Sequence, residues 1–141
     1  VVRPLFTVQF VLVASPAYLR RHGVPQTPQD AAAHQAVLPS YADISEMPYS
    51  TAEGSDTLQL ASPLQSNSTL MLHQLLLAGG GIGYLPLWLI EDDLAAGRLV
   101  RLLPACRFRS ITLHAAYPER RHLSAKVRSM IDFLVEKAAA M

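Results

Sequence analysis

One cysteine, Cys106, is all that this chain of 141 residues contains. It can close no disulfide of its own, a usage that fits a reducing cytoplasm, and it reads as a structural free thiol. Charge is also scarce, at 16% of residues. No run of about 18 apolar residues free of charge is present, so no helix of membrane-spanning length is expected. No basic start followed by an apolar run and a small-residue cleavage site is visible either, so no secretory leader is read in these residues. The five histidines include no pair at i, i+4, and H-E-x-x-H and G-x-S-x-G are both missing. Metal binding, covalent catalysis and a resident cofactor are therefore not expected, and no residue is assigned a catalytic or metal-ligating role.

What remains is a chain that is 50% apolar, enough for a buried core. Its length suits one compact domain or two small lobes. Charge is unevenly spread. Residues 1–97 hold three basic and eight acidic side chains, a balance of −5; residues 98–141 hold nine and three, a balance of +6. Such polarity can mark a nucleic-acid surface. Here Arg98, Arg101, Arg107 and Arg109 lie on or beside expected strands, so two lobes of different surface charge are expected instead.

Helical and strand patterns alternate, which argues an α/β fold. "FTVQFVLVA" (6–14) becomes continuously apolar, as a strand covered on both faces does. Ser15-Pro16 opens a helix that Gly23 ends, and Thr27 to Asp30 has capping-box spacing for a second helix, to about His34. "QAVLP" (35–39) is a short strand, residues 40–56 read as turns, and Leu58 and Leu60 begin another strand. A helix capped by Asn67 or Ser68 follows and, being apolar on nearly every face, is expected to be buried. "GIGYLP" is a strand, 86–96 a helix, and 98–104 and 111–118 are strands. In the last helix, from Ser124 to Ala139, Val127, Met130, Ile131, Leu134 and Val135 form one apolar stripe with Leu123.

Gly79, Gly80, Gly81 and Gly83 invite comparison with a phosphate cradle. That motif needs strand, glycines, then helix, so that the helix N-terminus meets the phosphate. Here the glycines follow a helix and enter a strand, so they read as a helix stop and a site of close backbone approach. His73 on its apolar helix reads as a hydrogen-bonded core residue, and Glu91-Asp92-Asp93 as a solvated face. "SNS" (66–68) lies where a strand meets a buried helix. It is either an ordinary N-cap or a seat for a carboxylate or other small polar ligand on free helix amides.

Three blocks, "LVASPAYLRRHGVPQTPQDAAAHQAVLP" (12–39), "SNSTLMLHQLLLAGGGIGYLPLWLIEDDLAAGRLVRLLP" (66–104) and "HAAYPERRHLSAKVRSMIDFLVEKAA" (114–139), together resemble the effector-binding domain of LysR-type transcriptional regulators. The resemblance implies a fold like the type-2 periplasmic binding proteins: two α/β subdomains joined by crossover strands, with a small-molecule cleft between them. Residues 1–107 answer to the second subdomain with its entering crossover strand. Residues 108–141 answer to the returning strand and last helix of the first. The winged helix-turn-helix and the opening half of the first subdomain have no counterpart here, and the chain is expected to be part of something longer.

By the same resemblance, Ser66, Asn67 and Ser68 match the cleft-lining helix start, and Leu38, Pro39 and Ser40 a second cleft edge. The partners implied are a small-molecule effector, a carboxylate among the candidates, and further copies of the chain in a homodimer or homotetramer. DNA is reached only through the N-terminal domain that lies outside this sequence, and no membrane is involved. "EMPYSTAEGSD" (46–56) departs from the tryptophan-centred strand common in the family. The rival functions on such a fold are a transporter's solute-binding protein and an enzyme of the hydroxymethylbilane synthase or prephenate dehydratase kind.

Overall fold

The structure is a computed structural model and describes residues 1–61, 63–118 and 120–140. The chain divides into two compact units, Gln9–Arg109 and Val1–Val8 with Ser110–Met141. Strands are β1 (Val2–Ala14), β2 (Val37–Pro39), β3 (Glu46–Thr51), β4 (Gly54–Gln59), β5 (Leu64–Ser66), β6 (Gly83–Pro86), β7 (Val100–Arg101), β8 (Arg107–Phe108) and β9 (Ser110–Ala116). Helices are α1 (Pro16–His22), α2 (Pro28–Ala32), α3 (Thr69–Leu77), α4 (Leu87–Ala95) and α5 (Ala125–Ala139).

In the larger unit, β1 lies between β6 and β7, antiparallel to both, while β2 and β5 pair in parallel. A parallel bridge from Ala36 to Ile82 joins β2 to the approach of β6. The apolar run of β1 serves two cores at once. Val11 and Val13 pack with Leu72, Leu76, Leu85, Ile90 and Leu99 around α3 and α4. Leu12 and Ala14 point the other way, into a cluster with Met47, Leu58 and Phe108 from the sheet β4-β3-β8. Strict alternation of side chains along a strand explains why an uninterrupted apolar run was needed.

Local chemistry sets the helix ends. The Ser15 hydroxyl accepts from the Tyr18 amide at 3.2 Å, and Thr27 and Asp30 complete a reciprocal capping box. The Gly79 amide donates to Leu76 O at 3.1 Å and the Gly80 amide to Leu75 O at 2.9 Å, with Gly79 at φ 84°. This is a Schellman stop, as the glycine run suggested.

Several expectations are corrected. Residues 46–59 form a β-hairpin rather than turns followed by a strand at Leu58. Only Met47 and Leu58 of the hairpin are buried, so its alternation is too sparse to see. The strand expected over 98–104 shrinks to β7: the Arg98 and Leu99 amides both donate to Asp93 O at the end of α4, and Leu103 takes φ 49° beyond the strand; Leu99, Leu102 and Leu103 are all buried. Helix α3 is not buried all round: Leu72 and Leu76 are, but Leu70 and Met71 are 67% and 52% exposed. A helix lying on one sheet buries one stripe, however apolar its other faces.

In the smaller unit, β9 pairs with β1, the Tyr117 amide donates to Val1 O at 3.0 Å, and the Thr7 and Thr112 hydroxyls meet at 3.2 Å. Helix α5 is capped by Ser124 and buries Ile131 alone. Val127, Met130 and Leu134 of the expected stripe are exposed within this chain.

Candidate functional site

The two stretches singled out in sequence come together. Strands β2 and β5 run side by side with Leu38 opposite Gln65 and Pro39 opposite Ser66. Immediately beyond them the Ser40 amide donates to Ser66 O at 2.9 Å. Both stretches thus end at the carboxyl edge of one parallel pair, where open α/β sheets place their ligands. Parallel pairing also explains the local sequence: "AVLP" is apolar because β2 is sandwiched, and it stops at Pro39, which can donate to no further ladder.

From Ser66 the chain turns into α3 by a relay of hydroxyls. The Ser66 Oγ accepts from the Ser68 amide at 3.1 Å, and the Ser68 Oγ accepts from the Met71 amide at 3.3 Å. Ser68, not Asn67, is therefore the N-cap. The Thr69 and Leu70 amides lie in the first helical turn, where no intrahelical acceptor exists. Asn67 and Ser68 are exposed and Ser66 is half-buried.

A cavity of about 210 Å³ opens beside this edge, its walls including Leu38, Pro39, Ser40, Asp43, Ser45 and Gln65. Leu38 and Pro39 bury their side chains and shape the floor, whereas Ser40 is exposed. Asp43 supplies the cavity's charge. Its Oδ1 accepts from the Ser45 hydroxyl at 2.6 Å and the Ser45 amide at 3.2 Å, and these bonds hold its carboxyl below the usual carboxylate range. Tyr41 ties the same loop to α3, its hydroxyl 3.0 Å from Thr69 Oγ1. Sequence reasoning missed Tyr41, Asp43, Ser45, Gln65 and Thr69. Their one visible signal is adjacency to the stretches 38–40 and 66–68.

Helix α3 is held from behind. His73 donates through Nε2 to Asp93 Oδ2 at 2.6 Å, and Arg98 donates through Nε to Oδ1 at 2.6 Å. His73 is thus hydrogen-bonded in the core as read. Asp93 is not part of a solvated face: only 7% exposed, it sits under α3. Among the described residues no group of three or more His, Cys, Asp or Glu is placed to hold a metal. Cys106 is buried, and burial pushes its thiol up, away from the reactive thiolate.

The LysR substrate binding domain family matches residues 1–139. A probable HTH-type transcriptional regulator of Klebsiella pneumoniae, LtrA, is 32% identical over 99% of this chain and 46% of its own length. The HTH-type regulator DmlR of Escherichia coli is 31% identical over 95% of this chain and 44% of its own. The chain therefore spans about half the length of the curated relatives it matches. Among solved structures, the regulatory domain of CrgA from Neisseria meningitidis superposes with a TM-score of 0.83 at 29% identity, covering 98% of this chain and 68% of that one. Full-length AphB, a Vibrio cholerae virulence activator, gives 0.87 at 23% identity, covering 98% and 48%, and shows likeness of fold alone.

Proposed function

Because the chain belongs to the LysR substrate binding domain family, with its periplasmic-binding-protein-like α/β fold, we propose that it is the effector-sensing part of a bacterial transcriptional regulator. The relatives are named as HTH-type regulators, which favours this function over a transporter's solute-binding protein. The units Gln9–Arg109 and Val1–Val8 with Ser110–Met141 are read as the second subdomain and as strands and helix of the first. DNA contact belongs to a helix-turn-helix domain elsewhere in the regulator, which works in the cytoplasm as a homodimer or homotetramer. No enzymatic step is assigned.

The observation that carries the proposal is the Ser40–Ser66 pairing, which brings 38–40, on the wall of one cavity, beside 66–68 at a sheet's carboxyl edge, although 66–68 are not themselves among the residues lining that cavity. Free amides at the start of α3 and its partial positive charge suit a carboxylate there. Ser66, Asn67, Ser68, Leu38, Pro39 and Ser40 form the effector-contacting set. Effector binding favours one arrangement of the regulator over another, and the shift is limited by the effector's differential affinity for the two.

Isothermal titration of the full-length regulator with small carboxylates tests this. The expected result is heat with the unsubstituted protein and a several-fold weaker Kd in Asn67→Ala. Carboxylates that give no heat, or an Asn67→Ala titration identical to the parent's, would count against it.

A further inference from the structure

The hydroxyl of Tyr18, on α1, meets Nδ1 of His34 at 2.8 Å, shortly before β2 begins. The Tyr18 ring also stacks on His22, with centroids 4.5 Å apart, and lies 5.6 Å from the His34 ring. Tyr18 is only 3% exposed, His34 is half-buried and His22 is exposed. The Gln35 backbone amide donates toward the same phenolic oxygen. A buried phenolic proton needs an acceptor, and among the described residues Nδ1 is the one that meets it, so the imidazole is neutral with its own proton on Nε2. His34 thus closes α1 onto the approach to β2. The next residue is already tied in: Gln35 O accepts from the Ile82 amide at 2.9 Å, and Gln35 Nε2 donates to Gly80 O at 2.8 Å.

A proton on Nδ1 undoes this arrangement. The hydroxyl then faces two donors, and its own proton is left without an acceptor in a buried position. The new charge also faces His22 across the Tyr18 ring, and Arg20 and Arg21 on α1 carry charge of the same sign. Partial burial and His22 accordingly hold the His34 imidazole below the ordinary histidine value, with Asp30 of α2 opposing them. Asp30 is already engaged, its Oδ2 accepting from the Gln26 and Thr27 amides at 3.1 and 3.2 Å. Gly79 and Gly80, at the α3 stop beside α1, bring no side chain to offset the charge. Asp56 of β4, the strand packed on α2, bonds the Thr57 amide at 2.8 Å.

We propose that Tyr18 and His34 form a pH-sensitive latch, which fastens α1 to the approach of β2 while His34 is neutral and lets go when His34 takes a proton. Because the latched imidazole titrates below the ordinary histidine value of about 6.5, the latch is complete above that pH and is lost as pH falls toward the latched value. Release loosens residues 16–35. It also weakens the Gln35 bonds to Ile82 and Gly80 that seat β2, whose Leu38 and Pro39 wall the cavity. The latch does not depend on the effector-sensing function proposed above.

Hydrogen exchange of the full-length regulator between about pH 7.5 and pH 5.5 tests this, read by mass spectrometry on peptides from 16–36 and corrected for the intrinsic pH dependence of exchange. Carboxylates, Asp93 among them, titrate below that window. Protection of 16–36 is expected to fall about threefold or more relative to peptides from α5, within the limit of about tenfold per pH unit that one proton sets. His34→Gln, which keeps an acceptor and takes no proton, should hold its protection level across the window. Tyr18→Phe should be less protected at the upper pH and show no further step, so either variant serves if the other fails to fold. His22 is present throughout: a step that survives in His34→Gln belongs to His22 and overturns the latch. Protection of 16–36 that stays level with α5 in the unsubstituted protein overturns it without any variant.

Discussion

The imidazole of His73 and the carboxylate of Asp93 meet at 2.6 Å and lock α3 to α4. Arg98 closes the other oxygen at 2.6 Å, so one buried carboxylate serves two donors from two directions. The start of α3 carries the candidate effector contacts, and His73 lies about one turn beyond it. The position of the site therefore depends on a polar clamp inside an otherwise aliphatic core.

Removing the clamp is expected to destabilise the chain. Asp93→Ala should cost about 2 kcal/mol at neutral pH, less than a fully buried pair because the Arg98 side chain is 56% exposed and screened. Burial alone would push the Asp93 carboxyl up; the bonds and charges of Arg98 and His73 outweigh it and leave it below the ordinary value. A depressed folded-state value means stability that is present above the unfolded carboxylate range, about pH 4, and lost as pH falls through the folded value. Urea unfolding of parent and variant should show their gap closing in acid; a gap constant with pH would contradict this.

Gly83 faces the carbonyl of Val37 so closely that a Cβ would stand 2.6 Å from its oxygen, with the Leu76 methyls behind it. Neither neighbour can retreat without shifting β2, which forms the cavity floor. Gly83→Ala should lower stability by about 3 kcal/mol and drop Tm by several degrees. A melt unchanged from the parent's would show that β2 yields freely.

Tyr84 lies 3% exposed on β6, and its hydroxyl has no hydrogen-bond partner among the described residues. Burial pushes its phenol well above the usual range. Its ring packs edge-on against Phe108 at 5.2 Å, so the hydroxyl rather than the ring is the unfavourable part. Tyr84→Phe is expected to leave stability unchanged or raise it by up to about 1 kcal/mol. Chemical denaturation showing a loss greater than ~1 kcal/mol would mean that the hydroxyl is satisfied after all.

Much of the fold is legible along the chain because its causes are local. Ser15, Thr27 and Ser124 cap helices through atoms three residues away, and Gly79 stops α3 within one turn. The hairpin of β3 and β4 escaped notice because its exposed face carries turn-forming residues and its buried face shows only Met47 and Leu58. The start of β1 escaped because its partner, β9, is more than 100 residues away. Asp93 was misread because Glu91 and Asp92 beside it are exposed, and nothing in a triplet of acids says which one a distant histidine will meet.

By itself, the sequence determined the α/β alternation, the helix ends and the family blocks, since spacings of a few residues govern caps, turns and apolar faces. Only tertiary structure decided that Ser40 joins Ser66, that Tyr41 reaches Thr69 and that Asp43 and Gln65 share the wall of one cavity. Those contacts depend on which strands pair and in what register, and that choice is made by the packing of both sheet faces at once, which no local pattern records.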